Sequence, residues 1–183
     1  GSVAWGDYDN DGDLDILLTG AAGFNPVARV YRNEGGVFVA TGAALTGVTY
    51  SSVAWGDYDN DGDLDILLTG TTNGNSNGAV AKVYRNDGPG AGSGWSFVDS
   101  GVALTGVQQS SVAWGDYDND GGLDILLTGY NDGGNVAKVY RNNGPTAGSG
   151  WSFVDSGAGL PSVAGGSVAW GDYDNDGDLD ILL

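Results

Sequence analysis

The chain has 183 residues with 24 acidic and six basic side chains, a formal charge of −18, 35 glycines, and no histidine, cysteine or methionine. That inventory excludes catalysis by imidazole or thiol, and the negative charge disfavours nucleic acid and anionic membrane surfaces as partners. No run approaches the roughly 20 apolar residues of a membrane span, no secretory leader is visible, and the lack of cysteine permits an oxidising compartment without proving one.

The first element, SVAWGD at 2–7, alternates: Val3, Trp5 and Asp7 fall on one side of a strand, and Ser2, Ala4 and Gly6 on the other. Small residues along one face let a neighbouring sheet come close. The acidic string DYDNDGDLD follows at 7–15 and runs into DILLTG at 15–20, whose consecutive apolar residues suit a strand buried on both faces. After a Gly/Asn turn comes ARVYRN at 28–33, then a second turn and VFVAT at 37–41. Four short β-type segments make one unit. None shows helical periodicity, so the expected fold class is all-β.

The same order then returns. SVAWGDYDNDGDLDILL stands at 2–18, 52–68 and 167–183, with a variant at 111–127 that carries Gly122 in place of Asp, giving spacings of 50, 59 and 56 residues. AKVYRN recurs at 81–86 and 137–142, WSFVDS at 95–100 and 151–156 takes the place of VFVAT, and turns such as NGNSNG (73–78) and GPGAGSG (88–94) separate the segments. A period of this length signals a repeat architecture. The expected units are 1–50, 51–109, 110–165 and the first half of a fourth, 166–183.

Four-stranded antiparallel sheets packed face to face around an axis are β-propeller blades; an array of β-sandwiches is the competing arrangement. About four to eight blades close a ring, so three blades and a half should not close alone. The simplest expectation is a piece of a longer array, with assembly of several chains as the alternative.

Nineteen of the 24 acidic residues lie in the four acidic strings. In the first copy, Asp7, Asp9, Asp11 and Asp15 would supply side-chain oxygens and Asp13 its backbone carbonyl, with Gly12 taking the positive φ that lets the chain wrap an ion. Four carboxylates within about 4–6 Å would repel at about 1–4 kcal/mol per close pair, too much for a marginally stable domain. Hard oxygen ligands in this number favour Ca²⁺ over Mg²⁺, and zinc or copper would lack the His or Cys they prefer. The string matches only the first half of an EF-hand loop, because Leu18 stands where the bidentate Glu would be. Gly122 replaces a residue needed only for its carbonyl, so the third loop is expected to remain competent.

VAWGDYDNDGDLDILL followed by VYRN and WSFVD resembles the FG-GAP/VCBS repeat family, the integrin α-like propellers common in bacterial secreted proteins. The resemblance implies blades of a propeller of about seven, with one Ca²⁺ in the loop joining the first two strands of each blade. Its ligands would be Asp7, Asp9, Asp11 and Asp15; Asp57, Asp59, Asp61 and Asp65; Asp116, Asp118, Asp120 and Asp124; and Asp172, Asp174, Asp176 and Asp180. The carbonyls of Asp13, Asp63, Gly122 and Asp178 would complete them.

The expected function is a non-catalytic, calcium-stabilised extracellular or cell-surface module for adhesion, display or scaffolding; a carbohydrate-binding lectin is the alternative. Its partners would be a protein or carbohydrate and neighbouring blades, from the same longer chain or other copies. Trp5, Trp55, Trp114 and Trp170 read as core, whereas Trp95 and Trp151 are the better candidates for exposure. Tyr8, Tyr58, Tyr117 and Tyr173 either form an exposed ring or pack over the loops. Arg32, Arg85 and Arg141 are expected to pair across strands with Asp99 or Asp155. Glu34, Asp87, Asp99, Asp132 and Asp155 read as turn or outer-strand residues, not catalytic acids.

Overall fold

The alternating and continuous apolar segments fold into strands where the sequence places them. A computed structural model describes residues 1–90, 94–146 and 150–183, so the middle of the GPGAGSG turn lies outside the described residues. The first sheet holds β1 (Ser2–Gly6), β2 (Asp15–Ala22), β3 (Asn25–Asn33) and β4 (Phe38–Ala40). The second holds β5 (Thr49–Gly56), β6 (Asp65–Thr71), β7 (Ala79–Gly90) and β8 (Gly94–Asp99). The third holds β9 (Gln108–Gly115), β10 (Asp124–Asn131), β11 (Gly134–Thr146) and β12 (Gly150–Asp155). Each is an antiparallel meander in chain order, and β13 (Ala169–Gly171) with β14 (Asp180–Leu182) form a two-stranded start to a fourth. A three-residue 3₁₀ turn, Ser76–Gly78, is the one helical element among the described residues. The architecture is all-β, built of propeller-like blades.

Register explains why DILLTG is apolar throughout. Ile66 sits opposite Trp55 on one side and Tyr84 on the other, while Leu67 sits between Ala54 and Val83. With a sheet packed against each face, Ile66, Leu67 and Leu68 are fully buried, as are Ile125, Leu126 and Leu127. In the first sheet, which has a neighbour on one face only, Leu17 is buried but Leu18 is exposed.

The hydrophobic cores accordingly lie between sheets. Tyr8, Leu17 and Val30 of the first sheet pack against Ile66, Leu68, Tyr84 and Phe97 of the second. Tyr58, Leu67 and Val83 repeat this against Ile125, Leu127, Tyr140 and Phe153 of the third. Leu126 and Val139 begin it again against Val168, Trp170 and Ile181. A stack of this kind draws its stability from nearest-neighbour interfaces.

The small face of SVAWGD does what its composition implies. A Cβ on Gly6 would lie 2.7 Å from the Trp55 ring, on Gly56 2.6 Å from Trp114, and on Gly115 2.6 Å from Trp170. Each first strand thus receives the indole of the next sheet. Ser2, Ser52 and Ser111 add a polar tie along the same line, their Oγ atoms accepting the backbone N–H of Val53, Val112 and Val168 at 3.4, 3.3 and 3.1 Å. A third recurring tie joins strand to connector: Tyr84 Oη donates to Thr46 Oγ1 at 2.7 Å and accepts the Thr46 N–H, and Tyr140 does the same with Thr105.

Candidate metal centre

Each acidic string forms the loop between the first and second strands of its sheet, so all four loops sit at equivalent places. Local hydrogen bonds fold each in the same way. Asp7 accepts the N–H groups of Asp11 and Gly12 through Oδ1 and Oδ2, and Asp11 Oδ1 accepts the N–H of Asp13. Asn10, Asn60, Asn119 and Asn175 adopt φ near 57–58°, a left-handed conformation that Asn tolerates, and Gly12 follows at φ 94° as expected. The last aspartate of each complete loop is fixed from two sides. Asp15, Asp65 and Asp124 accept the N–H of Tyr8, Tyr58 and Tyr117 at one oxygen, and of Asn33, Asn86 and Asn142 at the other.

This brings carboxylates together. Asp7, Asp9 and Asp15 each place an oxygen within 4.8 Å of the others; so do Asp57, Asp59 and Asp61, Asp116, Asp118 and Asp124, and Asp172, Asp174 and Asp180. The fifth loop position joins the tightest group in the second loop and the ninth joins it in the other three. At Gly122 the third loop keeps the backbone course of the others, its N–H donating to Asp120 Oδ1 at 2.9 Å.

Do these residues fit a cation? Asp9 Oδ1, Asp59 Oδ1 and Asp118 Oδ1 are buried without a hydrogen-bond partner, a costly state for a carboxylate oxygen unless a cation faces it. Every candidate donor is oxygen, and oxygens around one ion at about 2.3–2.6 Å would fall within the observed spacing. The Asp clusters can hold a metal ion.

Electrostatics point the same way. Burial pushes the Asp15 carboxyl above its ordinary range even though two backbone donors pull it down, and burial with the neighbouring Asp15 and Asp11 charges raises Asp9. In the second sheet burial lifts Asp65 to about 8, and in the third Asp124 to about 6. Both folded values exceed that of an unfolded aspartate, about 3.9, so the metal-free native chain binds more protons than the unfolded one between these limits. Stability of the metal-free protein therefore falls as pH rises through the folded values. In chelator, the thermal midpoint is expected to be higher at about pH 5 than at about pH 8; a midpoint that drops on acidification would contradict this. With metal present the slope should reverse, because protons compete with the ion.

The loops are also chained to one another, which the sequence reading missed. Asn10 Nδ2 donates to Asp63 Oδ1 at 2.9 Å and to the Gly62 carbonyl, Asn60 Nδ2 to the Gly121 carbonyl, and Asn119 Nδ2 to Asp178 Oδ1. The side chain at the seventh loop position is thus an acceptor between loops in the second and fourth copies, at Asp63 and Asp178. Asn86 and Asn142 of the VYRN segments reach back across the interface, their Nδ2 atoms donating to the carbonyls of Tyr8 and Tyr58 at 3.0 Å. The signal for both was the recurrence of these Asn residues in every copy.

The loop tyrosines form no exposed ring. Tyr8 stacks on Trp55, Tyr58 on Trp114 and Tyr117 on Trp170, with centroids 5.9, 6.1 and 6.0 Å apart, and Tyr8 and Tyr58 are fully buried. Tyr173 and Trp5, at the two ends of the stack, are exposed for want of a neighbouring sheet. Trp95 and Trp151 are half-buried, edge-on to Tyr8 and Tyr58. The arginine pairing differs from expectation. Asp99 lies opposite Tyr84, so Lys82, on the same face two residues away, takes Asp99, and Lys138 likewise takes Asp155. Arg85 points to the other face and pairs with Asp87; Arg32 pairs with Glu34, and Arg141 with Asp118 and Asp120.

Stacked four-stranded antiparallel sheets, with an acidic loop between the first and second strands of each, define an all-β repeat protein of propeller-like blades. A family model described as FG-GAP-like repeat matches residues 7–68 and 116–183, and the chain belongs to that family. No curated protein matches the chain. No helix among the described residues is long and apolar enough to cross a membrane.

Proposed function

We propose that the protein is a non-catalytic, calcium-stabilised extracellular propeller module whose loops lock successive sheets, serving adhesion, surface display or scaffolding. The observation that carries this is the loop-to-loop chain: the atoms that shape one acidic loop hold the next, so an ion in each would stiffen the interfaces between sheets. Asp7, Asp9, Asp11 and Asp15, with their counterparts and the carbonyl at the seventh position, would hold Ca²⁺, which accepts many oxygen ligands in flexible geometry where Mg²⁺ does not. The ion supplies charge neutralisation and cross-linking.

Support for a non-catalytic role comes from the acids outside the loops. Glu34, Asp87, Asp99 and Asp155 are engaged by Arg32, Arg85, Lys82 and Lys138, and Asp132 accepts a hydrogen bond from Ser76. Calorimetric titration with Ca²⁺ tests the reading. Saturable binding at several sites, with Mg²⁺ a weak competitor, is expected; no heat of binding at millimolar Ca²⁺ would end it.

One feature favours a lectin as the second reading. A pocket of about 450 Å³ between the first two sheets is lined by Tyr8, Arg32, Glu34 and Trp95, and a counterpart of about 150 Å³ is lined by Tyr58, Arg85 and Trp151. An aromatic wall with charged neighbours suits a sugar ring. A glycan array at saturating Ca²⁺ showing no hit would retire it.

A further inference from the structure

The four loops are nearly identical in sequence, but the structure separates the third from the first two. In the first sheet Arg32 is held by Glu34, and in the second Arg85 Nε lies 2.5 Å from Asp87 Oδ1. The equivalent of Glu34 and Asp87 in the third sheet is Asn143, which carries no charge. Without that partner, Arg141 turns onto the acidic loop itself. Its Nε lies 2.6 Å from Asp118 Oδ2 and its Nη2 3.1 Å from Asp120 Oδ2. The same loop is also the one that has lost a carboxylate, at Gly122. Asp118 thus faces two ways: Oδ2 is taken by the guanidinium, while Oδ1 stays buried and unpaired on the inner side.

We infer that Arg141 is a built-in counter-cation of the third loop, so that this loop binds Ca²⁺ more weakly than the first and second and keeps its shape without it. This rests on the calcium reading above. The arginine need not leave for the ion to enter, since the inner oxygen of Asp118 is free of it. Its charge nonetheless opposes the dication, and at about 6 Å in near-aqueous dielectric that repulsion corresponds to roughly a tenfold loss of affinity. The Arg141 side chain is 48% exposed, which keeps the effect near this screened limit. Conversely, the carboxylates of this loop repel one another less when no metal is bound. The third loop would then be the least calcium-dependent of the three that receive an N–H from a third strand.

Hydrogen–deuterium exchange read by mass spectrometry across a Ca²⁺ titration of the whole chain resolves the loops separately. The expected result is a midpoint for 116–124 about tenfold above those for 7–15 and 57–65, and, in chelator, slower exchange at 116–124 than at 57–65. Arg141→Gln should remove both differences. Asn143→Asp, which retains the arginine but returns its usual partner, should tighten the third loop likewise, and Arg85→Gln should leave that loop unchanged. Coincident midpoints in the wild type, or a third loop indifferent to both Arg141→Gln and Asn143→Asp, would overturn the inference. If no loop responds to Ca²⁺, the calcium reading fails instead. Exchange in chelator then still decides whether Arg141 protects the third loop: equal exchange at 57–65 and 116–124 overturns that role.

Discussion

Chelation of divalent cations at neutral pH is expected to lower the thermal midpoint by about 20 °C, and returning Ca²⁺ should restore it where the same concentration of Mg²⁺ does not. An ion bound only by the folded chain stabilises it by about 2.7 kcal/mol per site at a hundredfold excess over Kd. The first two loops at that excess, and the third at an excess about tenfold lower, would together contribute roughly 7 kcal/mol. For a chain of this size each kcal/mol moves the midpoint by about 2–4 °C. The structural reason for so large an effect is that the loops serve the interfaces as well as themselves. Removing bound ions would leave Asp9, Asp59 and Asp118 with buried, unpaired oxygens. It would also loosen the loops that Asn10, Asn60 and Asn119 tie to the next sheet. Because neighbouring sheets share one core, the loss spreads along the stack. Scanning calorimetry with and without chelator measures it, and a shift of less than a few degrees would remove calcium from the account of stability.

Much of this was readable from the chain because the relevant physics is local. A positive φ at Gly12, a buried strand at DILLTG and a small face on SVAWGD each follow from a few adjacent residues, and the structure has all three. What was not readable depends on register or on the next repeat. Asp99 faces Tyr84, not Arg85, a one-residue difference that reverses the face and hands Asp99 to Lys82. The seventh loop position looked indifferent to its side chain because its partner, Asn10 for Asp63, lies 53 residues away. The loop tyrosines could be read as an exposed ring because nothing in DYDNDG says that the following sheet will cover it.

That last point yields a direct contrast between two residues in identical local sequence. Tyr58→Ala is expected to cost about 3–5 kcal/mol, as truncation of a buried aromatic does, whereas Tyr173→Ala should fall within about 0.5 kcal/mol of wild type. Tyr58 is fully buried, stacked on Trp114 and in contact with Trp151 and Phe153 of the next sheet. Tyr173 is 82% exposed because, among the described residues, no sheet packs beyond the β13–β14 pair. The hydroxyl is a separable matter. Tyr58 Oη is buried with no partner, so Tyr58→Phe should be neutral or slightly stabilising, which assigns the loss in Tyr58→Ala to packing. Urea denaturation of the three variants in saturating Ca²⁺ makes the measurement independent of ion binding. Equal losses at positions 58 and 173 would mean that the loop tyrosine acts within its own loop, and that the stacking of one sheet's tyrosine on the next sheet's tryptophan does not hold the array together.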